Sequence, residues 1–176
     1  MSKKFRDSRL VIRYWHLITL ATIFSLLATL LSCGPYSFSG AGLPGIKTIA
    51  IPLFENQTEE YGIREELTNK LVLAFVQDNT LKVVNERTAD AVLRGTILKY
   101  QKDAYTFDEN ENVKEYISRI YVKIIVEDQK RSENVWEEDS LQGWATFPAD
   151  SSEAYGKSQA IDKLTQDIVN RTVKGW

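Results

Sequence analysis

The start of the chain most constrains what the rest can fold into. Lys and Arg side chains at positions 3–13 precede an apolar run from Leu17 to Leu31, which is followed by Ser32, Cys33 and Gly34. This run is shorter than the ~20 residues that a membrane-spanning helix needs, and longer than a minimal signal core. The order predicts a lipoprotein export signal at residues 1–32, cleaved before Cys33. The alternative is an uncleaved signal anchor with a stray cysteine.

A cleaved signal of this type makes Cys33 the site of lipidation. Acyl chains on one cysteine hold a protein on a membrane, because each buried methylene contributes about 0.8 kcal/mol. Residues 33–45, rich in Gly, Ser and Pro, form the lipidated cysteine and its tether. Gly34 follows the cysteine, whereas an aspartate there is typical of lipoproteins kept at the inner membrane. We therefore expect an outer-membrane, lipid-anchored protein that faces the periplasm.

The remaining residues have few chemical groups for catalysis. The only histidine, His16, lies in the predicted signal, and the only cysteine is the lipidation site. Ser-His-Asp triads, Cys-His pairs, histidine zinc sites and disulfides are thereby excluded, and no cofactor motif or metal site is expected. Residues 33–176 carry 17 Lys and Arg against 23 Asp and Glu, which disfavours nucleic-acid binding. We expect a single domain, and catalysis by carboxylates alone is the enzyme class that this composition leaves open.

Residue periodicity predicts five strands and two helices. β-favouring or alternating segments cover residues 46–54, 81–84, 91–101, 116–126 and 135–144, and helical spacing covers residues 63–78 and 151–171. Gly95, inside the third strand, suggests a β-bulge. The order β-α-β-β-β-β-α predicts an α+β, single-domain sandwich, in which a mixed four- to five-stranded sheet packs against two helices.

Several segments, in this order, resemble the lipopolysaccharide-assembly lipoprotein (LptE) family. They begin with the lipidated cysteine and its aromatic and glycine segment at residues 33–40, and continue through IKTIAIPLFEN at 46–56, Leu67-Thr68 and ADAVLRGTI at 89–97. EYISRI at 115–120, Trp136, DIVNR at 167–171 and the terminal Trp176 complete the match. The resemblance assigns residues 46–176 to an LptE-like α/β domain.

The resemblance implies a non-enzymatic plug and assembly partner of the β-barrel protein LptD, which places lipopolysaccharide in the outer membrane. A runner-up function comes from residues 49–56 and 89–97, which are also similar to lipoproteins that activate a cell-wall synthase or assemble a secretion pore. A third alternative, a glycan hydrolase that uses two carboxylates, lacks a distinctive acidic pair in the sequence.

Cationic side chains on the predicted strands are the candidate contacts to lipopolysaccharide phosphates. Strand parity places Arg119 and Lys123 on one face of the sheet. Arg94 and Lys99, on the neighbouring strand, would complete a basic patch if they lie on the same face. The alternative is a solvated face with scattered cations. The connection at residues 107–113 is acidic, which argues against lipid binding at that tip.

Two tryptophans on the last predicted strand are the other candidate contacts. Trp136 and Trp144 are eight residues apart, so a regular strand would point both side chains the same way. They are interpreted either as anchors for a partner or as part of the core.

Overall fold

A computed structural model describes residues 45–174. The predicted signal, Cys33 and most of the tether lie outside these residues. The described strands are β1 (Thr48–Ala50), β2 (Glu55–Asn56), β3 (Lys82–Val83), β4 (Ala91–Phe107), β5 (Val113–Asp128) and β6 (Glu133–Pro148). The helices are α1 (Ile63–Asp78) and α2 (Glu153–Lys174), and a short 3-10 turn spans Glu86–Thr88.

The strands form one mixed sheet in the order β3-β1-β4-β5-β6, with the two-residue β2 pairing alongside β4. β1 pairs in parallel with β3 and β4, whereas β4, β5 and β6 form an antiparallel meander. The α+β, single-domain prediction with a mixed sheet and two helices is therefore confirmed. The three meander strands are longer than predicted, because their pairing continues past the apolar segments from which the sequence analysis set their ends.

Both helices cover the same face of the sheet. On β5, alternate residues Ile120, Val122, Ile124 and Val126 are fully buried and belong to one core cluster with residues of α1 and α2. The intervening residues of β5 lie on the opposite face, which we call the open face. Side chains alternate between the two faces of a strand, so the register of the meander shows which residues share the open face.

Gly95 marks a close packing contact and not the bulge that the sequence analysis suggested. The register shift on β4 falls between Ile97 and Lys99. A Cβ atom on Gly95 would lie 2.0 Å from Cε2 of Phe54, which is 1% exposed. The backbone N–H of Phe54 donates to Thr68 Oγ1 on α1 at 3.1 Å. Glycine is therefore required where the Phe54 ring lies against the sheet.

Asp90 ties the beginning of β1 to the beginning of β4. Its Oδ2 accepts hydrogen bonds from the backbone N–H of Lys47 at 3.0 Å and of Thr48 at 3.1 Å, and from Thr48 Oγ1 at 2.9 Å. Its Oδ1 pairs with Lys130 Nζ at 2.5 Å. The hydrogen bond from Lys130, followed by those from Lys47 and Thr48, holds the pKa of Asp90 well below its ordinary value.

Tyr100 and Lys102 attach β4 to the first turn of α2. Glu153 Oε1 accepts from the Tyr100 hydroxyl at 3.1 Å, and its Oε2 pairs with Lys102 Nζ at 3.1 Å. Burial, opposed by a hydrogen bond with Ser118 and reinforced by the negative charge of Glu153, raises the pKa of Tyr100 to about 12. The hydrogen bond from Lys102 lowers the pKa of Glu153. Within residues 45–174, neither helix is long and apolar enough to cross a membrane.

Candidate functional site

The four cations that the sequence analysis selected all lie on the open face. Arg119 and Lys123 alternate with the buried residues of β5, which confirms their predicted shared face. Arg94 and Lys99 pair with Ile125 and Tyr121, which are open-face residues of β5. Five positions separate Arg94 from Lys99, and a regular strand would put them on opposite faces. The register shift between Ile97 and Lys99 adds one residue and returns Lys99 to the open face.

Carboxylates compensate three of these four charges. Arg94 pairs with Glu86. Arg119 Nη1 lies 2.8 Å from Asp103 Oδ2. The four cations thus share a face without forming a strongly positive patch.

Lys123 is the most strongly compensated of the four. Its Nζ lies 2.6 Å from Asp139 Oδ1 and 2.9 Å from Glu137 Oε1. The hydrogen bond to Asp139, followed by that to Glu137, holds the pKa of Lys123 above its ordinary value. Lys99 is exposed and has no carboxylate partner among the residues that the structure describes.

The centre of the open face consists of two cross-strand rows, which we call the open-face patch. One row is Lys99, Tyr121 and Gln142, and the other is Gln101, Arg119 and Trp144. Gln142 Nε2 donates to the Tyr121 hydroxyl at 3.2 Å. The patch offers one tryptophan ring, amide and hydroxyl groups and one uncompensated ammonium. Aromatic and arginine side chains are the types that contribute most at protein interfaces.

The prediction that Trp136 and Trp144 point the same way is wrong. Trp136 pairs with Val126 on the helix-covered side and is 7% exposed, whereas Trp144 pairs with Arg119 on the open face and is 46% exposed. The register of β6 shifts between the partners of Val122 and Ile124, which adds one residue between the two tryptophans. One extra residue exchanges the faces of all side chains beyond it. Trp136 therefore packs in the core, and Trp144 stays accessible.

Trp144 has a cationic neighbour that sequence reasoning missed. Lys163 Nζ, on α2, lies 4.7 Å from the centroid of the Trp144 ring. A cation at this distance is attracted to the face of the ring. β6 is the last strand of the sheet, so a side chain of α2 can reach a residue at this edge. The spacing of residues along the chain could not predict this contact, because the contact joins two different secondary-structure elements.

The tip of the β4–β5 hairpin is acidic, as the sequence analysis expected, and it also exposes two aromatic side chains. Asp108 Oδ1 accepts from the backbone N–H of Asn110 at 2.8 Å and of Asn112 at 2.9 Å. Hydrogen bonds from Asn112, first from its side chain, lower the pKa of Asp108. Tyr105 is 49% exposed and Phe107 is 58% exposed. The alternation of these aromatics at the end of β4 was a signal that could have marked them.

Solved structures with the same fold show low sequence identity to this chain. The hypothetical protein CT253 from Chlamydia trachomatis aligns with a TM-score of 0.56 at 11% identity, over 72% of this chain and 95% of its own. A PelC dodecamer from Paraburkholderia phytofirmans aligns with a TM-score of 0.53 at 16% identity, over 77% and 95%. Protein XCC0632 from Xanthomonas campestris aligns with a TM-score of 0.52 at 13% identity, over 74% and 88%. These likenesses establish the fold alone.

Comparison with protein families is more specific. Residues 46–174 match the model of one family, LptE, described as lipopolysaccharide-assembly. Comparison with the curated proteins finds no match. The matched segment runs from two residues before β1 to the end of α2, so it includes the open-face patch.

Proposed function

The chain belongs to the LptE lipopolysaccharide-assembly family, and we propose that it is an outer-membrane lipoprotein that acts as plug and assembly partner of the β-barrel protein LptD. In this role it supports transport and insertion of lipopolysaccharide and catalyses no reaction. The observation that carries the proposal is the family match over residues 46–174, which covers almost the whole described fold.

The open face has the chemistry that a plug needs. The lumen of an outer-membrane barrel is polar, so a protein inside it must present polar groups while its apolar core stays closed. Internal ion pairs compensate Arg94, Arg119 and Lys123. A barrel wall can therefore cover this face without having to supply a countercharge for each cation. We propose that Trp144 and its neighbours in the open-face patch contact the barrel.

Direct contact with lipopolysaccharide is assigned to Lys99. An uncompensated ammonium can pair with a phosphate, whereas cations already held by carboxylates must first break those pairs. Lys99 is exposed, and its neighbour across the strands, Tyr121, adds a hydroxyl group. Arg94, Arg119 and Lys123, which carboxylates already hold, are assigned a structural role on the open face and not phosphate binding. Trp136 is assigned to the core.

The membrane anchor is the second part of the proposal. Lipidation of Cys33 after removal of residues 1–32 would hold the domain at the periplasmic surface of the outer membrane. An anchor of this kind raises the local concentration of the plug near its barrel without any additional contact between the two proteins.

The test is a mild-detergent purification of the tagged, lipidated protein, followed by mass spectrometry of the proteins that co-elute in stoichiometric amount. We expect a large outer-membrane barrel. The variant Trp144→Glu should reduce its recovery at least about tenfold, because a charge inside a desolvated contact costs more than 1.4 kcal/mol. Tyr155→Glu is the matched control, because Tyr155 is similarly exposed, 51%, but lies on α2. Equal loss in both variants would refute the assignment of the open-face patch.

The alternative function is activation of a cell-wall synthase or assembly of a secretion pore. The observation that favours it is the fold shared with PelC, a protein that was solved as a dodecamer. The mass of the purified particle separates the alternatives. A ring of this chain alone, or a synthase in place of a barrel, would replace the plug proposal with this one.

A further inference from the structure

One end of the domain combines exposed apolar side chains with uncompensated cations. β1 and β3 are parallel and α1 connects them, so α1 ends near the point where β1 begins. Ile46, Phe75 and Leu81 accordingly belong to one core cluster, and the backbone N–H of Lys82 donates to the Lys47 carbonyl at 3.0 Å. The chain enters the described fold at this end, at Gly45, and we call it the entry end.

The last turns of α1 expose apolar surface at the entry end. Leu73 is 59% exposed and Val76 is 57% exposed, and Val72 beside them is half-buried. Residues three and four apart on a helix share a face, so these side chains form one stripe. Ile63, Leu67, Leu71 and Phe75 of α1 are buried in the core, and a second apolar stripe on the outer side of the helix indicates a contact beyond the fold.

Uncompensated cations cluster at the same end. Lys47, Lys82, Arg87 and Lys174 have no carboxylate partner among the residues that the structure describes. Lys82 pairs with Thr48 at the start of β1, and Lys47 directly precedes Thr48. Only two acidic side chains at this end lack a cationic partner among residues 45–174, namely Asp78 and Glu127. Because Arg131 is shared by Asp128 and Glu133, and Arg171 by Asp167 and Glu138, the charges at this end nearly balance. The four uncompensated cations can nevertheless pair with anionic groups outside the fold.

The opposite end of the sheet carries a cluster of acidic side chains. The tip of the β4–β5 hairpin carries Asp108, Glu109 and Glu111, for which the structure shows no ion pair within residues 45–174. β4 is 17 residues long, so the tip lies roughly 50 Å from the entry end. This separation is several times the screening length of about 8 Å at physiological salt, so the tip acids do not weaken the attraction of the four entry-end cations for an anionic surface.

We propose that the entry end binds the surface of a lipid bilayer that contains anionic phospholipid. The cations pair with lipid phosphates, and Leu73 and Val76 insert between the headgroups. The position of the chain outside the structure supports this occupant. Cys33 and Gly45 are twelve positions apart, which is at most about 40 Å of extended chain, so an acyl anchor on Cys33 keeps the entry end close to the membrane. The inference rests on the lipid anchor of the proposed function.

The experiment places a fluorescent label in the apolar stripe. Cys33 is the only cysteine, so Val76→Cys provides a second thiol that can carry an environment-sensitive dye in the full, membrane-processed protein. Vesicles contain phosphatidylethanolamine with or without phosphatidylglycerol, and lipids with nitroxide-labelled acyl chains quench the dye on contact. The control label is placed through Tyr155→Cys, because Tyr155 lies at the other end of the parallel helix pair and is 51% exposed.

We expect quenching at position 76 that is at least about threefold stronger than at position 155, and only when phosphatidylglycerol is present. Reversing Lys47 and Lys82 to Glu should weaken the contact about fivefold for each lysine, and 0.5 M salt should weaken it as well. Lys114→Glu, at the tip end, is the matched control and should change nothing. Equal quenching at both labels, or quenching that does not depend on phosphatidylglycerol and salt, would overturn the inference.

These outcomes are distinct from those that test the proposed function. The vesicles contain no barrel, so loss of LptD binding does not affect the result. Mass spectrometry of the labelled protein reports whether Cys33 carries a lipid. If it carries none, the proposed anchor is wrong. Phosphatidylglycerol-dependent quenching at position 76 in that sample would still support the entry-end contact, and its absence would refute it.

Discussion

Replacement of Gly95 by alanine should destabilise the fold through one identified contact. The new Cβ would lie 2.0 Å from Phe54 Cε2 and 2.3 Å from Cζ. The ring would need to move by about 1.5 Å to reach the normal separation of about 3.5 Å between carbon atoms. The ring cannot move freely, because the Phe54 backbone N–H is hydrogen-bonded to Thr68 and the ring is buried. Overpacking of this kind costs about 1–3 kcal/mol.

Urea denaturation of the purified protein measures this cost as a change in the free energy of unfolding. We expect Gly95→Ala to lower the midpoint without changing the slope, and to lower Tm by about 3–5 °C for each kcal/mol. Thr96→Ala, at the neighbouring position, is the control and should cost less than about 1 kcal/mol, because it removes only a half-buried side chain of the strand and no packed ring. A Gly95→Ala change as small as the control would refute the packing argument.

A second variant identifies Phe54 as the source of the cost. Leucine at position 54 removes the ring atoms that the new Cβ would meet. Phe54→Leu should therefore destabilise the unmodified chain but cost less in the Gly95→Ala background. The coupling between the two substitutions should exceed about 1 kcal/mol, because residues in direct contact are not additive. Additive effects would show that the strain lies elsewhere.

Three further measurements follow from the polar contacts. Asp90→Asn should remove a part of the stability that depends on pH. Hydrogen bonding depresses the pKa of Asp90 in the folded state, so the contribution of this carboxylate is present above about pH 4 and is lost as pH falls. Urea midpoints of both proteins at pH 3 and pH 7 would show this difference. The pKa of Tyr100 is raised to about 12, so Tyr100→Phe should remove a late tyrosine step from the alkaline absorbance titration, and an unchanged titration would contradict that pKa. Lys163→Met should change the fluorescence of Trp144 and leave stability within about 1 kcal/mol, because a cation near an exposed ring contributes about that much.

The sequence was sufficient for the fold class and for the order of the elements, apart from the two-residue β2 at Glu55–Asn56, because both depend on local periodicity. The helix at residues 63–78 was predicted with the bounds that the structure shows, since its buried residues recur at three- and four-residue intervals. The ends of the strands were harder to predict from the sequence. β4 continues to Phe107 although its inward residues become polar beyond Ile97, because pairing with β5 sustains it. Hydrogen bonding between strands leaves no periodic mark in either strand.

The faces of side chains along the long strands depended on two register shifts that the sequence did not reveal. The shift after Ile97 brought Lys99 onto the face of Arg94, and the shift on β6 separated Trp136 from Trp144. Gly95 was the only local hint of a bulge, and it serves the packing of Phe54. Parity arguments are reliable within a regular segment such as residues 116–126, and they fail across an inserted residue.

The sequence also could not show that carboxylates pair with the open-face cations, because each carboxylate comes from another segment of the chain. Glu86 precedes β4, Asp103 lies on β4 two residues beyond the register partner of Arg119, and Asp139 reaches Lys123 from β6. A count of basic residues on one face therefore overstated the positive charge of that face. Exposed ion pairs contribute little to stability, so their main consequence here is the near-neutral character of the open face.

The open-face patch and the entry end should respond differently to salt, because the cations of the first are mostly paired with carboxylates and those of the second are not. A contact at the open-face patch involves cations whose charges are already balanced within the chain, apart from Lys99. Salt can screen few new charge pairs there, so a barrel bound through Trp144 should stay bound as ionic strength rises. The entry end depends on Lys47, Lys82 and their neighbours meeting lipid phosphates, which salt does screen. A salt wash that releases the entry end from the membrane while the barrel stays bound is therefore expected if both assignments hold, because the two contacts are electrostatically different.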